Sequence, residues 1–129
     1  MDESTIAGKR IVFMDDDPAI QKLVESVLEE AGYQVRLAAN GREGMKLLAE
    51  EPADLVITDL IMPEQEGLES IVLIRQRYPG IRIIAVSGGL RRGEIDMLPT
   101  ADKLGADRTL RKPLVPEELL QVIADLLGG

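Results

Sequence analysis

Two apolar runs in this chain end on acids. The run "IVFM" (11–14) leads into Asp15, Asp16 and Asp17, and "DLVIT" (54–58) leads into the single Asp59 and a Met-Pro turn. Carboxylates gathered in one place repel one another, and each tends to hold a proton unless a cation compensates. A hard divalent ion answers that problem, and Mg²⁺ is typically held by one or two carboxylates together with waters and phosphate oxygens. Two further residues stand at comparable places: Ser87 closes "IRIIAV" (81–86), and Lys112 follows "DRTL" (107–110). A metal, an ammonium and a hydroxyl around one carboxylate can stabilise charge on a transferring phosphoryl group. A carboxylate can itself be the nucleophile, forming an acyl phosphate. Asp59, the lone acid on its strand end, is the candidate nucleophile, which leaves Asp15 and Asp16 for the metal. Asp17, directly before Pro18, suits an Asx-type turn and a helix cap.

These residues share a site only if the fold gathers the ends of those runs. Short aliphatic runs at 10–14, 34–38, 54–58, 81–86 and 107–110 alternate with longer segments of helical period. That pattern predicts a doubly wound five-stranded parallel sheet covered by helices on both faces, since near-continuous apolar strands are what burial on both faces requires. In such sheets ligands bind beyond the carboxyl ends of the strands, which is where all five candidate residues fall. A first helix is expected from Pro18 to Ala31, with Ile20, Leu23, Val24, Val27 and Leu28 on its apolar face and Gly32 stopping it. Asn40 is expected to cap a second helix carrying Met45, Leu47 and Leu48 and ending near Pro52. A third is expected from Gly67 to Tyr78. The last opens at Pro116, with Glu117 and Glu118 near the positive end of its dipole and Leu119, Leu120, Ile123, Leu126 and Leu127 as its apolar residues. The fourth is weakly marked: it is placed at 93–104, kinked or starting late, because Pro99 falls inside it.

The composition limits the chemistry. At 129 residues the chain has the size of one domain, with a core expected over about 9–128 and no output domain within it. With no Trp, one Phe and two Tyr, that core must be aliphatic. There is no Cys and no His, which excludes thiolate nucleophiles, His general bases and Cys/His zinc sites in this chain. A formal net charge of −8 argues against direct contact with nucleic acid, because neutralising phosphates takes an excess of Lys and Arg. The first residues form no apolar leader and no run approaches a membrane span, so no membrane insertion and a cytoplasmic location are expected.

Four segments together resemble the receiver domain of two-component response regulators. "IVFMDDDP" is similar to its first-strand acid pair, "DLVITDLIMPEQEG" to its phosphoacceptor segment, "AVSGG" to its Ser/Thr segment and "LGADRTLRKPL" to its fifth-strand Lys-Pro segment. The resemblance covers nearly the whole chain and is carried by the order of the four segments. It implies a flavodoxin-like (βα)5 fold with strand order 2-1-3-4-5. It also implies that Asp59 is phosphorylated, that Asp15, Asp16 and Asp59 support Mg²⁺ (or Mn²⁺), with Asp16 a more direct ligand than Asp15, and that Ile61 lends its backbone carbonyl to the ion. Ser87 and Lys112 would hold the phosphoryl oxygens, and Pro113 would follow Lys112 through a cis peptide bond. The donor would be a phosphohistidine on a sensor histidine kinase or a histidine phosphotransfer protein. The product would be read by a downstream protein on the face of the fourth helix, fifth strand and fifth helix. By this resemblance the protein is no turnover enzyme but a stand-alone, chemotaxis-type receiver that supports its own Mg²⁺-dependent phosphorylation and dephosphorylation.

Two features depart from the family pattern. Thr109 stands where an aromatic commonly lies three residues before the Lys, so a switch through an aromatic rotamer there is ruled out, leaving loop rearrangement or repacking of Leu90 or Leu110. The segment "SGGLRRGEIDMLPT" is long and rich in Gly, and residues 88–98 are expected to be mobile and to reorder on phosphorylation. Arg91 and Arg92 within it are taken as a solvated pair. With Ile61 and Gly89 unable to orient a water, slow hydrolysis is expected. Two rivals remain: a receiver-like interaction module that is never phosphorylated, and a haloacid-dehalogenase-type phosphatase. Against the phosphatase, the "DDDP" segment lacks the Thr or Val expected after the second acid, and a late acid pair is missing.

Overall fold

The computed structural model describes residues 9–60, 66–88 and 96–128. The elements alternate as the aliphatic runs suggested: β1 Arg10–Met14, α1 Pro18–Glu30, β2 Gln34–Ala38, α2 Gly41–Glu50, β3 Leu55–Asp59, α3 Glu66–Arg77, β4 Arg82–Ser87, α4 Leu98–Leu104, β5 Arg108–Arg111 and α5 Pro116–Leu127. All strand pairs are parallel, in the order β2-β1-β3-β4-β5. The order reverses direction between β1 and β3, which opens a crevice at their carboxyl ends.

Period-two alternation along the strands splits the core into two layers. Val12, Met14, Val56, Ile83 and Ala85 face one side and pack against Leu48 of α2, Ile71 and Ile74 of α3, and Ala101 of α4. Ile11, Phe13, Leu55, Ile57, Ile84 and Val86 face the other and pack against Val24 and Leu28 of α1 and Leu119, Val122 and Ile123 of α5. Phe13 is the only fully buried aromatic among the described residues, so the core is aliphatic as the composition required. The second helix lies close on β1 because Gly44 faces the sheet: a Cβ there would come within 2.0 Å of Met14 Sδ.

Several boundaries differ from the sequence expectation, each for a local reason. β3 and β5 begin one residue late because the ladder closes on a side chain there: the Asp54 and Asp107 N–H groups donate to Arg10 O and Ile83 O, while the Arg10 and Ile83 N–H groups are taken by Asp54 Oδ2 and Asp107 Oδ2, all at 2.8 Å. α1 ends at Glu30, where Gly32 at φ 101° turns the chain and Tyr33 N–H reaches back to Leu28 O at 3.0 Å. Leu23, counted with the apolar face of α1, is 51% exposed. α5 buries Val122, which the apolar pattern had passed over. The fourth helix is shorter than expected. Asp96 and Met97 are not helical, Asp96 Oδ1 accepts the Leu98 N–H at 3.1 Å, and the helix starts at Leu98. Pro99 therefore occupies the first turn, where a missing N–H costs nothing, and is not an interior kink. Ile61, Gly89, Leu90, Arg91 and Arg92, and most of the stretch expected to be mobile, lie outside the described residues.

Candidate functional site

The fold brings four of the candidate side chains to the crevice between β1 and β3. Asp15 directly follows β1 and is fully buried, Asp59 ends β3 at 3% exposure, and Asp16 is exposed at the mouth. One oxygen from each of these three carboxylates lies within 4.8 Å of the others. Lys112, following β5, spans the site: its Nζ donates to Asp59 Oδ2 at 2.8 Å and stands 3.0 Å from Asp15 Oδ2. The Lys112 main chain extends the ladder, its N–H donating to Ser87 O at 2.8 Å, and the Lys112–Pro113 peptide bond is cis as the resemblance implied.

The acids are held by different means. Asp15 Oδ1 accepts the Asp17 N–H at 2.9 Å, forming the Asx turn, and Asp17 Oδ1 in turn caps α1 by accepting the Ala19 N–H at 2.9 Å. The two roles expected for the acid run are therefore separated residue by residue, with Asp17 structural and Asp15 turned inward. Asp59 is the last residue of β3 and pairs with Val86, while the Leu60 N–H bonds Val86 O at 2.8 Å, so the nucleophile candidate sits on a fixed strand end. Ser87 ends β4 beside it and is buried, but its hydroxyl is directed along its own chain, 3.5 Å from Gly88 O.

Burial by itself would lower the Lys112 pKa, but the hydrogen bonds and charges of Asp59 and Asp15 outweigh it and hold the ammonium above the ordinary lysine value. Lys112 thus remains a fixed positive charge. Among the described residues, three carboxylates against one ammonium leave a formal excess of two negative charges. Asp15 Oδ2 is buried and meets Lys112 Nζ at 3.0 Å, and no other donor reaches it among the described residues. A buried carboxylate oxygen with one ammonium as its donor, within a cluster of hard oxygen ligands carrying excess charge, fits a divalent cation of the Mg²⁺ type.

The model of the response regulator receiver domain matches residues 11–124. The chain belongs to the response regulator receiver family. Among curated relatives, the transcriptional regulatory protein GltR of Pseudomonas aeruginosa is 38% identical over 122 residues, covering 93% of this chain and 49% of GltR. The transcriptional regulatory protein GlrR of Escherichia coli K12 is 35% identical over 117 residues, covering 91% of this chain and 26% of GlrR. The crystal structure of a CheY-like response regulator receiver domain protein from Methanospirillum hungatei JF-1 superposes with a TM-score of 0.87 at 32% identity, covering 95% of each chain.

This receiver therefore spans about half of one curated relative and about a quarter of the other. Both are transcriptional regulatory proteins, so the expectation of a stand-alone, chemotaxis-type protein finds no support in them. Neither the phosphatase nor the unphosphorylated interaction module gains support from any of these matches. Among the described residues no helix is long and apolar enough to cross a membrane.

Sequence reasoning passed over two polar side chains that organise this architecture. Gln21 donates its carboxamide N–H groups to Asp15 O and Ala38 O at 2.7 and 3.2 Å. Arg75 on α3 bonds the main chain at the opposite edge of the sheet. Each carried a signal: Gln21 shares a helix face with Val24 and Leu28, and Arg75 follows Ile71 by four residues, so both are polar residues set in buried stripes.

Proposed function

We propose that Asp59 of this receiver accepts a phosphoryl group from a phosphohistidine on a sensor histidine kinase or a histidine phosphotransfer protein. The observation that carries the proposal is the Lys112 ammonium held between Asp59 and Asp15 at 2.8 and 3.0 Å, with Asp16 close enough to complete an oxygen cluster. Asp15 and Asp16, with the Ile61 carbonyl, would hold Mg²⁺ or Mn²⁺, which supplies charge neutralisation at the phosphoryl oxygens. Asp59 is the nucleophile: a carboxylate oxygen forms the new bond to phosphorus as the bond from phosphorus to the donor imidazole breaks. Lys112 then exchanges its contact with the unphosphorylated Asp59 carboxylate for one with a phosphoryl oxygen, and the Ser87 hydroxyl turns from Gly88 O to donate to another.

Residues 9–128 act as a single receiver unit, a switch and not a turnover enzyme, that supports its own Mg²⁺-dependent phosphorylation and dephosphorylation. Movement of Lys112 and Ser87 pulls on β5 and β4, and the surface that changes is the face of α4, β5 and α5, which a protein target reads. Thr109, half-buried on β5, offers no aromatic ring for that relay, so backbone displacement carries it. A chain with no cysteine suits the reducing cytoplasm in which this exchange is placed. The test is exposure to acetyl phosphate and Mg²⁺, followed by intact mass measurement. A single Mg²⁺-dependent phosphoryl adduct absent from Asp59→Asn is expected; an adduct that persists in that variant would place the acceptor elsewhere.

A further inference from the structure

Gln21 occupies the first turns of α1, half-buried, and uses both protons of its carboxamide on main-chain oxygens. Ala38 O, one of the two, also accepts the Asp15 N–H at 3.0 Å, so this single side chain ties together the ends of β1 and β2 and the start of α1. The bond to Asp15 O has a more specific consequence. That oxygen belongs to the planar peptide joining Asp15 to Asp16, so orienting it orients the whole plane. The following plane, between Asp16 and Asp17, is held from the other side by the Asp17 N–H on Asp15 Oδ1 at 2.9 Å. Asp16 thus sits between two fixed peptide planes although its own side chain is exposed.

We infer that Gln21 is a positioning residue for the cation-binding acids, holding the Asp15–Asp16 peptide so that the exposed Asp16 carboxylate points toward Asp15 and Asp59. The inference rests on the proposed cation role of those acids. Gln21 does not touch the ion; it acts through the peptide plane. Without its two donors, Asp16 would sample directions that carry its carboxylate away from the cluster, and the ion would meet a site that must first be ordered.

The test is a Mg²⁺ titration followed by backbone amide shifts, with wild type, Gln21→Met and Gln21→Glu, each also unfolded thermally without the ion. Gln21→Met keeps the length and removes both donors; Gln21→Glu, well suited to a helix surface, guards against misfolding of the first. Both folded variants are expected to bind Mg²⁺ about tenfold more weakly than wild type. The glutamate variant discriminates between mechanisms, because an added negative charge alone would tighten cation binding. Unchanged affinity in either folded variant, with only the melting temperature lowered, would overturn the inference and leave Gln21 a purely structural tie. Tighter binding by Gln21→Glu would also overturn it. A wild-type chain that does not bind Mg²⁺ would overturn the proposed function and the inference together, an outcome distinct from one confined to the variants.

Discussion

The two edges of the sheet treat their cations in opposite ways. At the amino edge, Arg75 has five N–H donors and makes five hydrogen bonds: Nε and Nη2 to Gly105 O, Nη1 to Pro79 O and Ile81 O, and Nη2 to Asp107 Oδ2. Asp107 is equally engaged, accepting the Ile83 N–H at 2.8 Å and pairing with Arg82 at 3.6 Å. The connections entering β4 and β5 are thereby fixed, with every donor of the guanidinium used. At the carboxyl edge, Lys112 faces more carboxylate than it can neutralise, and Asp15 Oδ2 keeps an unfilled hydrogen-bonding position among the described residues. A satisfied edge is a clamp. An unsatisfied one has the charge to take a cation.

The contrast breaks first at the clamp. Arg75→Met should cost on the order of 4 kcal/mol, because it leaves three carbonyls and Asp107 short of partners. Urea unfolding should show this loss undiminished by added Mg²⁺. Lys112→Met should cost about 3 kcal/mol in the absence of ions, since it leaves buried carboxylates uncompensated. There the loss should shrink on adding Mg²⁺, and a loss indifferent to Mg²⁺ would show that the carboxyl edge is only a second clamp. Gly105→Ala should cost roughly 2 kcal/mol, because φ is +126° and the new Cβ would stand 3.1 Å from Arg75 Nε.

The smallest effect is in pH. With the Lys112 pKa raised above 10.5, the folded state holds that proton more tightly than the unfolded state does. Its contribution is complete below the ordinary lysine value and fades as pH rises through the raised one. The stability difference between wild type and Lys112→Met should stay constant through the neutral range and narrow in alkali.

Much of the receiver was legible in its residues. The alternation of aliphatic runs with helical stripes marked ten elements in order, and the acids, Ser87 and Lys112 could be placed at strand ends because a parallel sheet points all those ends the same way. Helix four was the weak point. Its beginning depends on Asp96 bonding the Leu98 N–H, and a side-chain bond of that kind leaves no periodic trace, so Pro99 was taken for an interior residue. The strand starts at Asp54 and Asp107 were misplaced by one residue for the same reason.

By itself, then, the chain's order of residue types determined the sheet, its two-sided core and which chemical groups would meet at its carboxyl edge. Hydrophobic period and strand direction are local properties, and they suffice for that. Only the tertiary structure decided how those groups share their charges: that Asp15 turns inward while Asp17 caps a helix, that Lys112 bridges two acids, that Ser87 stands aside, and that Gln21 and Arg75 fix opposite edges. Those outcomes depend on distances between residues as far apart in the chain as Asp15 and Lys112, and hydrogen-bond geometry at that range is written in no single segment.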